Sequence, residues 1–304
     1  MSDRTVTVRG KQLKLTNGDK VLYPDAGVTK GEVITYYERV SDVLLPHLKG
    51  RALTMKRYPN GVDEQFFFQK DAPKHRPDWI RTEPIWTRSN GRDVNFLTIN
   101  SLPALIWIAN LASLELHTTM SRAKTSKRPT MMVFDLDPGP PATVVECCQV
   151  ALMLRSLMAE LGLELYPKTS GSKGLQVYVP LNTPSASFEQ TKPFALAVAR
   201  LLEEQHPDLV VSNMRRELRE GRVLVDWSQN DDMKTTICVY SLRARPRPTV
   251  STPVTWDEVE ATADGGDPST LVFESPAVLE RIEAHGDLFD PVLKQHQQLP
   301  DPPA

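Results

Sequence analysis

The chain has 304 residues, 40% apolar and 24% charged with a net charge of -2, a balance that supports a large core and excludes both disorder and a uniformly basic nucleic-acid coat. No stretch approaches the roughly 18 uncharged apolar residues of a membrane span, and Met1-Ser2-Asp3-Arg4 opens no signal-peptide segment, so the expectation is a cytoplasmic protein with no membrane partner. The charge is uneven: residues 1–128 hold about 21 Lys+Arg against 13 Asp+Glu, roughly +8, and residues 129–304 about 15 against 25, roughly -10. The first half can therefore attract phosphates despite the neutral total.

Thr5-Val6-Thr7-Val8 alternates like a strand. Thr29-Lys30-Gly31-Glu32 has the form of a capping box, and helical apolar spacing then runs to Leu45, before Pro46. Phe66-Phe67-Phe68 cannot all point inward on a strand. With Lys20, Lys30, Lys56 and Arg57 nearby in sequence, the run suits stacked bases and phosphates, or else two rings are core and the third packs under a loop. A nearly all-apolar helix is predicted over 102–115, with Ser101 as cap and Pro103 in its first turn. His117 then falls at an apolar helix end, where a satisfied core histidine is the plain expectation. The basic loop Arg122–Pro129 is the candidate boundary.

Beyond it, the pattern predicts a strand (131–136), a helix (143–161) capped by Thr143 with Glu146 and stopped at Gly162, and strands over 163–168 and 174–181. A helix near 187–205, a short one near 212–220 and strands over 222–227 and 234–240 follow. From about Pro246 the chain is proline-rich and acidic, with one convincing helix, Ala277–Ala284. Cys147, Cys148 and Cys238 lack zinc or disulfide spacing and read as core thiols.

Three segments carry candidate chemistry. Asp135 and Asp137 close an apolar strand two residues apart, so both carboxylates face one side; a divalent cation would relieve their repulsion, although a strand end entering the Asp137-Pro138-Gly139 turn is the plain alternative. Thr169-Ser170-Gly171-Ser172-Lys173-Gly174 lies between two strands and reads as an anion cradle or as a simple hairpin turn; it is not a Walker A loop. Asp226, alone in Val223-Leu224-Val225-Asp226-Trp227, needs a partner that a metal or an arginine would supply.

In this order the segments resemble the polymerase domain of bacterial ATP-dependent DNA ligase D, in the archaeo-eukaryotic primase superfamily. The similarity runs from about Leu15 to Asp290 and rests on Leu15–Pro24, Lys56–Asp63, Glu115-Leu116-His117, Phe134–Pro138, Ser170–Leu175 and Val225–Asn230. The resemblance implies a mixed α/β fold: a primase-type catalytic core (129–249) with a mixed or antiparallel sheet flanked by helices, an interlocked basic DNA-binding subdomain (1–128) and an acidic extension (250–304) packed on the core. With no ligase or nuclease segment visible, a free-standing relative is expected.

The same resemblance implies that Asp135, Asp137 and Asp226 hold two Mn²⁺ or Mg²⁺ ions for template-directed nucleotidyl transfer, filling short gaps at DNA breaks and favouring ribonucleotides. It assigns Ser170, Ser172, Lys173, Gln229 and Arg243 to the nucleoside triphosphate, with His117 close by, and Arg219 to the metals and primer end. It matches Asn17, Lys20 and Lys30 to a 5′-phosphate site, with Lys30 beside a helix N-terminus; Lys56 and Arg57 support the DNA, Phe67 and Phe68 stack on template, and Phe66 is core. Implied partners are gapped or broken 5′-phosphorylated DNA, nucleoside triphosphates, a Ku end-binding protein and a separate ligase, which places the protein at the nucleoid. One departure is Gln176 where the family usually has His. It motivates an alternative, a DNA-end-binding module with weak catalysis. A haloacid-dehalogenase-type phosphatase also ends a strand in Asp-x-Asp, with Asp231-Asp232 as a superficial later pair, but the pair here is mid-chain and lacks the following Thr.

Overall fold

Fifteen strands and eight α-helices alternate along residues 3–300, the part of the chain that this computed structural model describes. Met1 and Ser2, at the start of the expected basic subdomain, and residues 301–304, at the end of the expected acidic extension, lie outside the described residues. In order they are β1 (Arg4–Val8), β2 (Lys11–Leu15), β3 (Val21–Tyr23), β4 (Val28–Thr29), α1 (Lys30–Arg39), α2 (Ser41–Leu48), β5 (Leu53–Arg57), β6 (Phe67–Gln69), β7 (Thr82–Thr87), β8 (Arg92–Leu97), α3 (Leu102–Asn110) and β9 (Ser113–Thr119). Then come β10 (Met131–Pro138), α4 (Val144–Glu160), β11 (Tyr166–Thr169), β12 (Leu175–Pro180), α5 (Phe188–Gln205), β13 (Val210–Val211), β14 (Val223–Asp226), β15 (Thr235–Ile237), α6 (Trp256–Ala263), α7 (Ser275–His285) and α8 (Pro291–Lys294). Among the described residues no helix is long and apolar enough to cross a membrane.

The chain forms two compact units. The first comprises residues 1–124, 235–251 and 274–286, and the second 125–234, 252–273 and 287–304. The boundary expected near residue 128 falls at 124/125, and the stretches 129–249 and 250–304 are each divided between the units. Sequence order hides this return because β15 completes a sheet begun before residue 120.

The first unit holds a six-stranded sheet in the order β15-β9-β5-β8-β7, with β6 also paired to β5. Its α1 starts on the capping box read from sequence: Thr29 accepts from the Glu32 N–H, and the Glu32 carboxylate accepts from the Thr29 N–H. The helix does not run on to Leu45. It breaks at Val40, and Pro46 sits inside the separate α2. The helix predicted to 115 stops at Asn110, because Ala112 takes a left-handed backbone (φ 56°) that no helix interior tolerates. Ser101 makes no side-chain cap, and Glu115 and His117 lie on a strand.

The second unit is a five-stranded sheet, β11-β12-β10-β14-β13, antiparallel except for the β13·β14 pair. On β10, Met132, Phe134 and Leu136 are buried in the core with Cys147, Cys148 and Ala199 of α4 and α5, and each such side chain contributes about 1.5–3 kcal/mol where it is large and apolar. Strand alternation turns Asp135 and Asp137 to the other face. Thr143 and Glu146 form the predicted capping box of α4. The helix read over 212–220 is only a 3₁₀ turn, Arg216–Leu218. In the acidic tail, α6 escaped the sequence reading although Thr255 and Glu258 form a capping box there.

Candidate active site

One row of residues crosses four strands of the second unit's sheet. Asp135 of β10 faces Asp226 of β14 on one side and Gln176 of β12 on the other, and Gln176 in turn faces Lys168 of β11. Directly opposed residues share a face, so this row and Asp137, two residues along β10, form one polar strip. Burial first, then the charges of Asp137 and Asp226, push the Asp135 carboxyl up to about 7, while a hydrogen bond from Gln176 and the Lys168 charge oppose the rise. Asp226 has both oxygens engaged in its own turn: Oδ1 accepts from the Ser228 N–H (2.8 Å) and hydroxyl (2.7 Å), and Oδ2 from Gln229 Nε2 (2.9 Å). Gln229, expected on the triphosphate, thus orients a carboxylate here. Among the described residues no three His, Cys, Asp or Glu side chains stand together as a ready-made cation cage. The donor set itself, three carboxylates close enough that the charges of Asp137 and Asp226 raise the Asp135 carboxyl, fits a hard divalent cation.

The turn between β11 and β12 is built on Ser170. Its hydroxyl oxygen accepts from the Ser172 N–H (3.2 Å) and Gly174 N–H (3.1 Å), which leaves Ser172 and Lys173 exposed at the tip. Gly174 is obligatory, since a Cβ there would sit 2.0 Å from the Leu136 carbonyl oxygen. Just past the same end of β10, a Cβ on Gly139 would meet the Arg219 carbonyl oxygen at 1.8 Å, so the Arg219 loop lies against the strand end. The Arg219 guanidinium donates to the Met214 carbonyl, and its Nε is buried with no hydrogen-bond partner.

The first unit carries a second row. Phe68 of β6 faces Lys56 of β5, which faces Glu115 of β9. Glu115 is 2% exposed and gathers basic side chains: His117 Nε2 at 2.9 Å, Arg243 Nε at 3.4 Å and Lys56 Nζ at 3.8 Å, with the Ala244 N–H donating to it at 3.1 Å. Burial alone would raise its carboxyl, but His117, Arg243 and Lys56 together hold it down at about 2. Burial lowers the His117 pKa, and the Glu115 hydrogen bond opposes that. Lys56 Nζ also lies 4.1 Å from the Phe66 ring centroid and 5.7 Å from that of Phe68, and the Arg57 guanidinium 5.0 Å from that of Phe67. All three rings are exposed, at 43%, 43% and 57% for Phe66, Phe67 and Phe68. The core position expected for Phe66 is therefore not found; its ring leans on Tyr58 at the surface (5.3 Å).

The N-terminal residues are arranged less openly than the sequence suggested. Asn17 and Lys20 are exposed, the first with φ 52° and the second donating to Asn60 Oδ1 at 2.6 Å. Lys30 is buried, and its Nζ donates to the Thr16 carbonyl at 2.6 Å and hydroxyl at 3.2 Å. Burial lowers its pKa to about 8. The first N–H groups of α1 are also spent, Lys30 on the Lys20 carbonyl, Gly31 on the Gly18 carbonyl and Glu32 on Thr29. The helix N-terminus expected beside a phosphate is closed by its own loop.

Sequence reading gave no role to Lys168 or Glu115. A lone lysine inside Tyr166–Thr169 and a lone acid two residues before His117 were the available signals, and the second becomes legible only once 113–119 is read as a strand. Asp231 and Asp232 pair with Lys192 and Lys127 respectively, which removes the acidic pair that a phosphatase reading would use.

A sequence model of the LigD primase-polymerase domain matches residues 29–289. The chain is 43% identical over 286 residues to the multifunctional non-homologous end joining protein LigD of Mycolicibacterium smegmatis, covering 93% of this chain and 36% of that protein. It is 32% identical over 289 residues to the bifunctional LigD of Bacillus subtilis, covering 95% of this chain and 45% of that protein. It thus spans less than half the length of either relative. The polymerase domain of Mycobacterium tuberculosis ligase D, solved in complex with DNA, superposes with a TM-score of 0.86 at 40% identity, over 94% of this chain and 99% of that one.

Proposed function

The chain belongs to the LigD primase-polymerase domain family of nucleotidyltransferases, and we propose that it extends 3′ ends across short gaps at DNA breaks, guided by a downstream 5′-phosphate and favouring ribonucleotides. The observation that carries this reading is the juxtaposition of Asp135 and Asp226 across β10 and β14, with Asp137 beside them. These three carboxylates would hold two Mn²⁺ or Mg²⁺ ions, Asp226 exchanging its Ser228 and Gln229 bonds for a cation. Bound there, the ions would acidify the primer 3′-hydroxyl and neutralise the triphosphate and the leaving pyrophosphate.

The chain's own groups do the positioning. Exposed Ser172 and Lys173 offer a donor and a charge to phosphate oxygens, on a turn that the Ser170 hydroxyl keeps in shape. In the first unit, the Arg243 and Lys56 cations with the His117 ring beside them suit a polyphosphate, and Phe66, Phe67 and Phe68 present faces on which bases stack. Lys20 and Asn17 offer contacts for a 5′-phosphate, with Arg57 as further positive charge. None of these groups reads base edges, so template pairing sets the sequence. In the cell, a Ku end-binding protein and a separate ligase are the expected collaborators at the nucleoid.

A primer-extension assay on a 5′-phosphorylated gapped duplex with Mn²⁺ tests the proposal, with ribonucleoside and deoxyribonucleoside triphosphates compared. Extension lost in Asp137→Ala supports it. DNA-end binding that depends on the 5′-phosphate, with no extension by the wild type, would instead favour the end-binding module that the Gln176 departure suggests.

A further inference from the structure

Gln176 is held at its oxygen. Its Oε1 accepts from Lys168 Nζ at 2.6 Å and from the Tyr178 hydroxyl at 3.3 Å, and on its other side Asp135 stands directly opposite on β10. A carboxamide is nearly symmetric in shape, and only its surroundings decide which end carries the donors. An ammonium has donors alone, so Lys168 fixes the oxygen of Gln176 toward itself and the NH₂ toward Asp135. Lys168 is 1% exposed on a strand of the same sheet, its Nζ 5.4 Å from the Tyr178 ring centroid. A buried lysine is costly unless its charge is used. Here the row Lys168, Gln176, Asp135, Asp226 offers it a use, since one amide, bonded to the ammonium, lies between it and the carboxylate pair.

We propose that Lys168 and Gln176 are a coupled pair of positioning residues for the divalent-cation site: Gln176 ties one lobe of the Asp135 carboxylate and leaves the other for the cation, and Lys168 holds the Gln176 amide in the orientation that does so. The inference rests on the reading of Asp135, Asp137 and Asp226 as cation ligands. It also gives a physical account of the departure at position 176: a glutamine carries one donor end and one acceptor end, and this row uses both.

The experiment measures Mn²⁺ binding to the full chain, without nucleotide or DNA, from the loss of the free-ion electron paramagnetic resonance signal. Gln176→Leu weakens binding about tenfold, the equivalent of one hydrogen bond to a charged group, and Lys168→Met weakens it by a similar factor. The double variant is no weaker than either single one, because the two act through one another. Gln176→His, which keeps a donor and an acceptor on opposite edges, stays within about threefold of wild type. Should Lys168→Met fail to fold by circular dichroism, the Gln176→Leu and Gln176→His pair carries the test. Unchanged affinity in Gln176→Leu, or multiplying effects in the double variant, overturns the positioning pair while wild-type binding lost in Asp135→Ala preserves the metal site. A wild-type chain that binds no Mn²⁺ overturns both.

Discussion

The two large sheets solve one electrostatic problem with opposite signs. In the first unit the cluster is cationic (Lys56 and Arg243, with the His117 ring beside them) and the buried counter-charge is Glu115; in the second the cluster is acidic (Asp135, Asp137, Asp226) and the buried counter-charge is Lys168. The difference is in how the counter-charge is delivered. Glu115 touches its cations directly and stays ionised down to about pH 2. Lys168 lies two strands from Asp135 with the Gln176 amide between them, and its charge opposes but does not cancel the rise of Asp135 to about 7. The cationic cluster is thus settled by its own counter-charge, whereas the acidic cluster keeps a raised carboxyl that a bound cation would relieve.

The largest expected effect breaks the acidic side of this comparison. Asp135→Ala lowers gap-filling extension by at least about 10³-fold, since a cation ligand and its charge are lost together. The same raised carboxyl sets a pH dependence. Because the folded pKa of Asp135 lies above its unfolded value of 3.8, the stability it contributes is full below pH 3.8 and is lost as pH rises through about 7. Metal-free Asp135→Asn should therefore melt above the wild type at pH 8, a gap that closes at pH 4 and on adding Mn²⁺ to the wild type. A wild type that gains stability from pH 4 to pH 8 relative to Asp135→Asn would contradict the assignment.

The next effect tests the settled side. Glu115→Ala leaves two positive groups, Lys56 and Arg243, and the His117 ring around an empty position and costs roughly 3 kcal/mol of stability, read by urea unfolding. The sign is opposite to that of Asp135: with its folded pKa near 2, below the unfolded 4.5, Glu115 contributes stability that is present above pH 4.5 and is lost as pH falls through about 2. Glu115→Gln keeps the shape and lets His117 and Arg243 wander, so the KM for nucleoside triphosphate rises about tenfold with a smaller change in kcat. Equal losses in KM and kcat would mark Glu115 as only structural.

Smaller again are the exposed rings. Phe68→Ala weakens binding to gapped duplex by about tenfold, within the 1–3 kcal/mol typical of one base stacked on an aromatic side chain, and leaves the salt dependence unchanged. Lys20→Ala does the reverse: it acts only on 5′-phosphorylated gaps and lowers the salt slope by about one. Fluorescence anisotropy at several salt concentrations separates the two.

What could be read in advance follows the range of the interactions. The Thr29 and Thr143 capping boxes, α4, α5 and the alternation that aims Asp135 and Asp137 together are local patterns, and they stand in the structure as read. The mixed α/β class and the family followed from short motifs in order. Lost were features that depend on distant chain: β15 returning to pair with β9, Glu115 meeting Arg243, and Lys168 placed two strands from Asp135. The Ser113–Thr119 strand was missed because its apolar content continues that of α3, and periodicity cannot separate a buried strand from a buried helix over so short a run.

Lys30 gives the finest test, because it is a cation with no cluster of its own. The resemblance makes it a phosphate ligand like Lys20, but its buried Nζ holds the Thr16 carbonyl and hydroxyl, so any effect on the 5′-phosphate would work by keeping the Asn17–Lys20 turn on the start of α1. Lys30→Met should therefore reduce the preference for a 5′-phosphorylated gap by only about two- to threefold, below Lys20→Ala, as the loss of a shaped turn rather than of a contacting charge. The pH dependence separates the two roles. With its pKa lowered from 10.5 to about 8 by burial, Lys30 binds fewer protons folded than unfolded in that window, so wild-type stability rises relative to Lys30→Met as pH goes from 8 to 10. A lysine that instead faced solvent to meet phosphate would show no such rise, and its loss would match that of Lys20 in both size and salt slope.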